Sequence, residues 1–412
     1  MTRILFWGGL VSLLFATGCS RLSANVSRAT FQPVQLSAND VDAAEPVTAS
    51  APDGGFYVAW VNHNADNQSD VMLARFMSDR AAAGTPVRVN AQAGVASAWR
   101  GDPPSVAVTD RAVYLLWTAH VESQAKSGTD LYFSVSNDQG KTFAAPVKVN
   151  DDKVTATHGM HSLAVDKNGR IYVAWLDERN IQMPKPSAQA GGHHMESNRD
   201  VFVADSNDGG KTFSANRKVA ENACPCCKTA VAVSPDGTVY ASWRQVLPGD
   251  FRHIAVASST DGAAHFSAPV IVSDDNWVLH GCPVSGPSLS TEANGNLRVV
   301  WFAAGEGAAP GVYFAETHDQ GRTFSPRALL MQDTVKGTPT VATGSNRAVA
   351  IWQGLESQQP EAKVRELDGA GAAVNVAANA ESPSGVFSNG KLFVAYISTV
   401  GEKRSVWVAK VG

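Results

Sequence analysis

Short apolar runs that end in an aromatic residue recur along the chain. They occupy residues 56–60, 113–117, 171–175, 239–243, 297–301, 348–352 and 392–396, closing on Trp60, Trp117, Trp175, Trp243, Trp301, Trp352 and Tyr396. Each is rich in Val, Ile, Leu and aromatic side chains and is too short for a helix, so each reads as a buried strand. A turn signal precedes most of them: Asp53-Gly54, Asn168-Gly169, Asp236-Gly237, Asn294-Gly295 and Asn389-Gly390. Such pairs close tight hairpins between antiparallel strands. Long amphipathic helical patterns are absent.

A second phrase lies between two further β-like runs. It reads Ser136-Asn137-Asp138-Gln139-Gly140-Lys141-Thr142-Phe143, and again Ser206-Asn207-Asp208-Gly209-Gly210-Lys211-Thr212-Phe213. A degenerate copy follows at Ser259 to Phe266, and a last one at Thr317 to Phe324. Asp and Ser can bond the backbone of their own turn, while Gly supplies a positive φ. Each repeat then holds a first strand, a Gly turn, the aromatic-ended strand, a variable loop, a third strand, the Asp turn and a fourth strand. Four antiparallel strands at a period of several dozen residues make a propeller blade. The expectation is an all-β chain with seven blades. Residues 30–37 resemble the fourth strands and would complete the last blade, which otherwise lacks one.

The repeated phrase resembles the Asp box of sialidase-like BNR-repeat propellers, and the resemblance spans nearly the whole chain after its first residues. It implies a six-bladed alternative, because sialidase catalytic propellers have six blades. It also implies that Asp138, Asp208, Asp261 and Asp319 are structural, since the box lies in turns away from the active site. An exo-α-sialidase-type glycoside hydrolase would need three carboxylate-gripping arginines, an acidic Asp and a Tyr–Glu pair. Arg100, Asp102, Asp177, Glu178, Arg179 and Arg244 are the catalytic candidates. The nucleophile is not matched: every Tyr falls within a second or third strand. The Arg-Ile-Pro phrase of sialidase first blades is absent too. A non-catalytic glycan- or protein-binding module is the other reading, because fold does not carry function.

Lys plus Arg number 34 against 38 Asp plus Glu, for a net charge of −4. Nothing in that balance favours a nucleic-acid partner. Residues 1–18 read as a lipoprotein signal peptide, with Arg3 ahead of a short apolar stretch and Thr17-Gly18 before Cys19. Cys19 would be acylated, residues 19–28 would be a tether, and residues 29–412 a single propeller domain. The expected location is the bacterial cell envelope, at an outer membrane facing the periplasm.

Strand parity gives the chemistry a place. Loops leading into first strands share one face with loops after second strands, and the Asp boxes lie on the opposite face. The first face collects His158, Met160 and His161 ahead of blade three, and Cys224, Cys226 and Cys227 ahead of blade four. It also collects His280 and Cys282 ahead of blade five, and His193, His194 and Met195 in the long loop after strand two of blade three. Thiolate, thioether and imidazole are soft ligands that suit copper first and zinc second. A disulfide from Cys226 or Cys227 to Cys282 is the structural alternative, and thiol redox chemistry at Cys224-Pro225-Cys226-Cys227 a third. His253 reads as a surface residue.

Overall fold

The computed structural model describes residues 32–64, 68–77, 83–123, 127–181, 197–306, 309–369 and 371–412. All regular elements among them are β-strands, and no helix is long and apolar enough to cross a membrane. The strands fall into seven consecutive antiparallel units of four, spanning residues 42–88, 105–148, 158–223, 230–271, 288–332, 336–378 and 380–411. The last unit has three strands of its own. Its fourth is Val34–Gln35 from the other end of the chain, with Val34 opposite Val408.

The hydrogen-bonded sheets number six rather than seven. Five have four strands and one has eight, because Ala223 pairs with Gln245 and fuses units 3 and 4. The fusion is a single residue pair, so each four-strand unit remains a separate meander. First strands of successive units lie side by side, and Ala380–Ser388 of unit 7 lies beside Asp42–Ser50 of unit 1. Side chains knit these neighbours. The Thr48 amide donates to Ser384 Oγ at 3.1 Å, the Val341 amide to Ser288 Oγ at 3.1 Å, and Ser162 and Thr229 hydroxyls meet at 3.0 Å.

The apolar runs become second strands sandwiched between two sheets, which explains why they show no polar face. Ile171–Asp177 is buried along its whole length. Each hydrophobic cluster between sheets draws on two successive units: Phe133 and Trp175 join units 2 and 3, while Phe56 and Phe393 join units 1 and 7. The aromatic ends carry a polar requirement, since a buried indole N–H needs an acceptor. Trp60, Trp175 and Trp243 find it two residues on, at Asn62, Asp177 and Gln245. Trp117 is followed by Thr118 and Ala119, and its buried indole nitrogen has no hydrogen-bond partner among the described residues.

The Asp phrase forms the turn between third and fourth strands. Asp138 Oδ1 accepts from the amides of Lys141 and Thr142 at 3.1 and 2.9 Å, and Oδ2 from the Thr142 hydroxyl at 2.6 Å. Asp208 and Asp319 repeat the pattern with Thr212 and Thr323. In the degenerate copy His265 Nδ1 takes the Thr position, 2.8 Å from Asp261 Oδ2. These bonds hold the carboxylates in the charged form; the hydroxyl and amide of Thr212, ahead of its other partners, bring Asp208 down to about 2.

Candidate functional site

A cavity of about 960 Å³ opens on the side away from the Asp boxes. Its walls come from segments that lead into units 2, 3, 4 and 5, together with loops after second strands of units 3 and 4. Ser97, Trp99 and Asp102 contribute from the first segment, and Gly159 and Met160 from the second. Glu178 and Arg199 flank the loop of unit 3, Asp250 and Arg252 the loop of unit 4, and Cys226, His280 and Cys282 complete the wall.

Sulfur forms one wall. Cys226 and Cys282 are joined in a disulfide that ties unit 4 to the segment before unit 5. Such a staple constrains the unfolded chain, and the sequence separation of 56 residues makes that constraint appreciable. Cys224 and Cys227 are free and buried, and the Cys227 thiol donates to Cys224 Sγ at 3.3 Å. That hydrogen bond lowers the Cys224 thiol from its ordinary value, against the opposing effect of burial, with the Arg244 and Arg252 charges assisting. Burial drives Cys227 well upward. Met160, Val246 and Val284 surround the sulfurs with apolar surface.

The histidines separate. A bulge between Gly159 and Ser162 holds Met160 at φ 54° and places it on the cysteines. Glu45 of unit 1 and Ser382 of unit 7 occupy equivalent bulges, so this geometry belongs to the repeat. His158 turns instead into a fully buried carboxylate nest. Its Nδ1 bonds the Thr129 carbonyl at 2.7 Å, and its Nε2 lies 3.1 Å from Asp152 and 3.6 Å from Asp177. His161 is buried against Ser105 Oγ at 3.0 Å, and its Nε2 has no hydrogen-bond partner. Burial brings this imidazole down to about 3, opposed by Asp102 and assisted by Lys228. Among the described residues neither ring joins the group formed by Cys224, Cys226 and Cys282; each is held by polar partners of its own, while Met160 alone of that segment packs on the sulfurs. His280 does line the cavity, where its exposed ring meets Asp250 at 3.0 Å. His193, His194, Met195 and Cys19 lie outside the described residues. His253 is buried rather than superficial.

The catalytic candidates divide as well. Asp102 and Glu178 line the cavity. Asp177 is buried, accepting from the Trp175 indole and bound to Arg179. Arg179 also pairs with Asp151 at 2.7 Å and stacks over Phe202. Arg244 is fully buried, donates to the Ser285 and Phe302 carbonyls and covers the Trp277 ring. These three hold units together and do not line the cavity. Arg100 is exposed and is not among the lining residues either.

Two lining groups were not singled out from sequence. Trp99 is 40% exposed and folds over Gly101, where a Cβ would strike its ring. An aromatic outside the strand-ending series was the available signal. Arg199 pairs with Glu178 across the ends of the unit 3 loop, a contact between residues 21 positions apart that no local pattern announces. Arg252 is buried on the wall. It donates to the Leu279 carbonyl at 3.1 Å and its Nη2 lies 3.7 Å from Asp250 Oδ1, while its Nε and Nη1 have no hydrogen-bond partner among the described residues. No Tyr lines the cavity among the described residues.

Among solved structures, the chain is similar to an ulvan lyase, a polysaccharide lyase, at 12% identity and a TM-score of 0.58, with 92% of this chain and 96% of that chain covered. A protein of unknown function from Dyadobacter fermentans matches at 14% identity and TM-score 0.49, covering 93% and 98%. Trypanosoma rangeli sialidase matches at 12% and 0.49, and the chain spans 58% of its length. At such identities the likeness concerns the fold alone. No curated protein matches the chain by sequence. The BNR repeat-like domain matches residues 54–278, more than half of the chain and the whole of units 2 to 4, which carry most of the cavity wall. The Asp turns, the repeated four-strand units and this match together make the chain a member of the BNR repeat-like family.

Proposed function

We propose that this protein binds an acidic carbohydrate in the 960 Å³ cavity. The observation that carries the reading is Arg252, buried on the wall with two guanidinium nitrogens unpartnered. A buried donor left unsatisfied is costly, and a guanidinium fork matches a carboxylate in geometry and charge. These nitrogens are buried behind the wall, so a uronate or sialate carboxyl in the cavity would be drawn by the guanidinium charge and would accept from it after a small shift of the Arg252 side chain. Trp99 offers an exposed aromatic face for the apolar side of a sugar ring, and Asp102, Asp250 and the Glu178–Arg199 pair offer polar partners for hydroxyls. The cavity lacks a tyrosine among the described residues, so a sialidase nucleophile of the expected kind has no support there.

The seven units, in this reading, close into a seven-bladed propeller. The pairing of Val34–Gln35 with the last unit and the contact between units 7 and 1 support that closure, which leaves few open sheet edges. We also take Cys19 as a lipid-anchored N-terminus in a bacterial envelope, at the outer membrane and facing the periplasm. The Thr17-Gly18-Cys19 phrase and the Cys226–Cys282 disulfide support an exported protein, because disulfides persist in oxidising compartments. Labelling with a clickable palmitate analogue should mark the protein, and Cys19→Ala should abolish the mark; a labelled variant removes this assignment. Copper handling rests on the sulfur cluster and stands as a separate proposal.

Titration calorimetry tests the carbohydrate site. Sialylated and uronate-containing oligosaccharides should bind, and their neutral counterparts should bind at least about tenfold more weakly. Arg252→Gln should erase that preference, and Trp99→Ala should weaken all sugars in a chain that folds normally. Equal binding of neutral and acidic sugars, or full affinity in Trp99→Ala, would overturn the reading.

A further inference from the structure

The four cysteines supply more sulfur than a staple uses. Cys226 and Cys282 make the staple. Cys224 Sγ nevertheless lies 4.0 Å from Cys226 Sγ, and the sulfurs of Cys224, Cys226 and Cys282 all fall within 4.8 Å of one another. Two free thiols parked beside a disulfide are an oxidation hazard in an ordinary core, where alanine or serine would fill the space. Cys282 is exposed on the cavity side while the other three are buried. Independently, the Arg244 guanidinium is completely buried near this cluster, and its Nη1 has no hydrogen-bond partner among the described residues. A buried, under-satisfied cation calls for negative charge nearby, and thiolates would provide it.

We infer that the cluster is a redox-gated copper(I) site, held by Cys224, Cys226 and Cys282 once the Cys226–Cys282 bond is reduced. A dithiol reductant starts the cycle from the cavity. Its thiolate attacks the exposed Cys282 sulfur, forming a mixed disulfide and releasing Cys226 as a thiolate. The second thiol of the reductant attacks its own sulfur in that mixed disulfide, closes the reductant's disulfide and releases Cys282. Two electrons pass from the dithiol to the cysteine pair. Copper enters already as copper(I), so it undergoes no redox change; the two protons of the dithiol and the thiol proton of Cys224 leave to solvent, and three thiolates bind the ion.

The donor set selects the metal. Copper(I) favours thiolates and accepts three of them, whereas structural zinc wants four closed ligands. Among the described residues no histidine or carboxylate joins these three sulfurs within 4.8 Å, so the group offers three thiolates and no fourth ligand for zinc; His280, two residues from Cys282, is engaged with Asp250 instead. Cys227 is not one of the three sulfurs grouped within 4.8 Å, and its 3.3 Å hydrogen bond orients Cys224. The bound trithiolate would carry two negative charges, and Arg244 offsets part of them. A disulfide oxidant that takes two electrons from Cys226 and Cys282 by the reverse exchange, leaving as its own dithiol, restores the staple and expels the ion, so occupancy follows the thiol–disulfide state of the compartment.

The test uses the full chain under anaerobic conditions, with and without dithiothreitol treatment followed by its removal. Copper(I) supplied as its acetonitrile complex is titrated against bathocuproine disulfonate. Reduced protein should take up one copper per chain, and unreduced protein none. Cys224→Ser leaves the staple intact and should weaken copper binding by about 100-fold. Should that variant fold poorly by circular dichroism, Cys282→Ser gives the second readout, with copper uptake lost whatever the reduction state. Equal uptake by reduced and unreduced protein overturns the gating. Full affinity in both serine variants overturns the site, and displacement of copper(I) by equimolar zinc overturns the choice of metal. None of these outcomes depends on the carbohydrate reading, since Arg252 and Trp99 are not ligands.

Discussion

The two faces of this molecule are built on opposite principles. At the Asp-box face each turn satisfies itself: Asp208 bonds Lys211 and Thr212, and Ser206 Oγ accepts from the Gly210 amide, all within a handful of residues. At the cavity face almost nothing is local. Asp102 accepts from the His161 amide 59 positions away, and the Lys228 ammonium donates to the Pro103 carbonyl 125 positions away. One face repeats a single kind of turn in four of the units, and the other is a single assembly. Local, self-satisfied turns make a repeat robust, while an assembled cavity can change its chemistry by substitution without disturbing the repeat.

That contrast is easiest to break where a box touches the core. Gly210 sits at φ +84°, and a Cβ there would collide with the Phe133 ring of the preceding unit. Gly210→Val should therefore cost about 3 kcal/mol or more through backbone strain and overpacking. The check is the urea midpoint at unchanged m-value. A near-native midpoint would mean that the boxes are surface ornaments.

A smaller effect sharpens the comparison. Asp208→Ala removes four local acceptor bonds from an exposed turn and should cost about 1 kcal/mol, whereas Trp99→Ala at the cavity should shift stability by less than about 0.5 kcal/mol. Thermal unfolding of the two variants side by side should thus show a lower Tm for the box variant only. Sugar binding should show the reverse order. If Trp99→Ala proves the less stable of the two, the cavity rim is part of the scaffold and the division between faces is wrong.

How far the sequence could be read follows from the same contrast. The box was legible because its bonds run between residues i and i+4, so spacing alone reveals them. The aromatic-ended strands were legible because burial on both faces forces an apolar run. Parity placed Met160, Cys226, His280 and Cys282 on one face, and the cavity does gather them. The roles of His158 and His161 were not legible. Their partners are Asp152, Asp177 and Ser105, delivered by other strands and loops, and a bulge at Gly159 sends Met160 alone to the sulfurs. The count of sheets also depended on one cross-unit pair, Ala223 with Gln245, which no periodicity encodes.

By itself, then, the order of residues determined the repeat: which segments are strands, how they turn, and which ends of them point the same way. Only the tertiary structure decided which cysteines are joined, which arginines are consumed by carbonyls and carboxylates, and which, Arg244 and Arg252 among them, keep buried donors without a partner among the described residues. Periodicity is a property of neighbours along the chain, whereas the satisfaction of a buried charge is a property of neighbours in space.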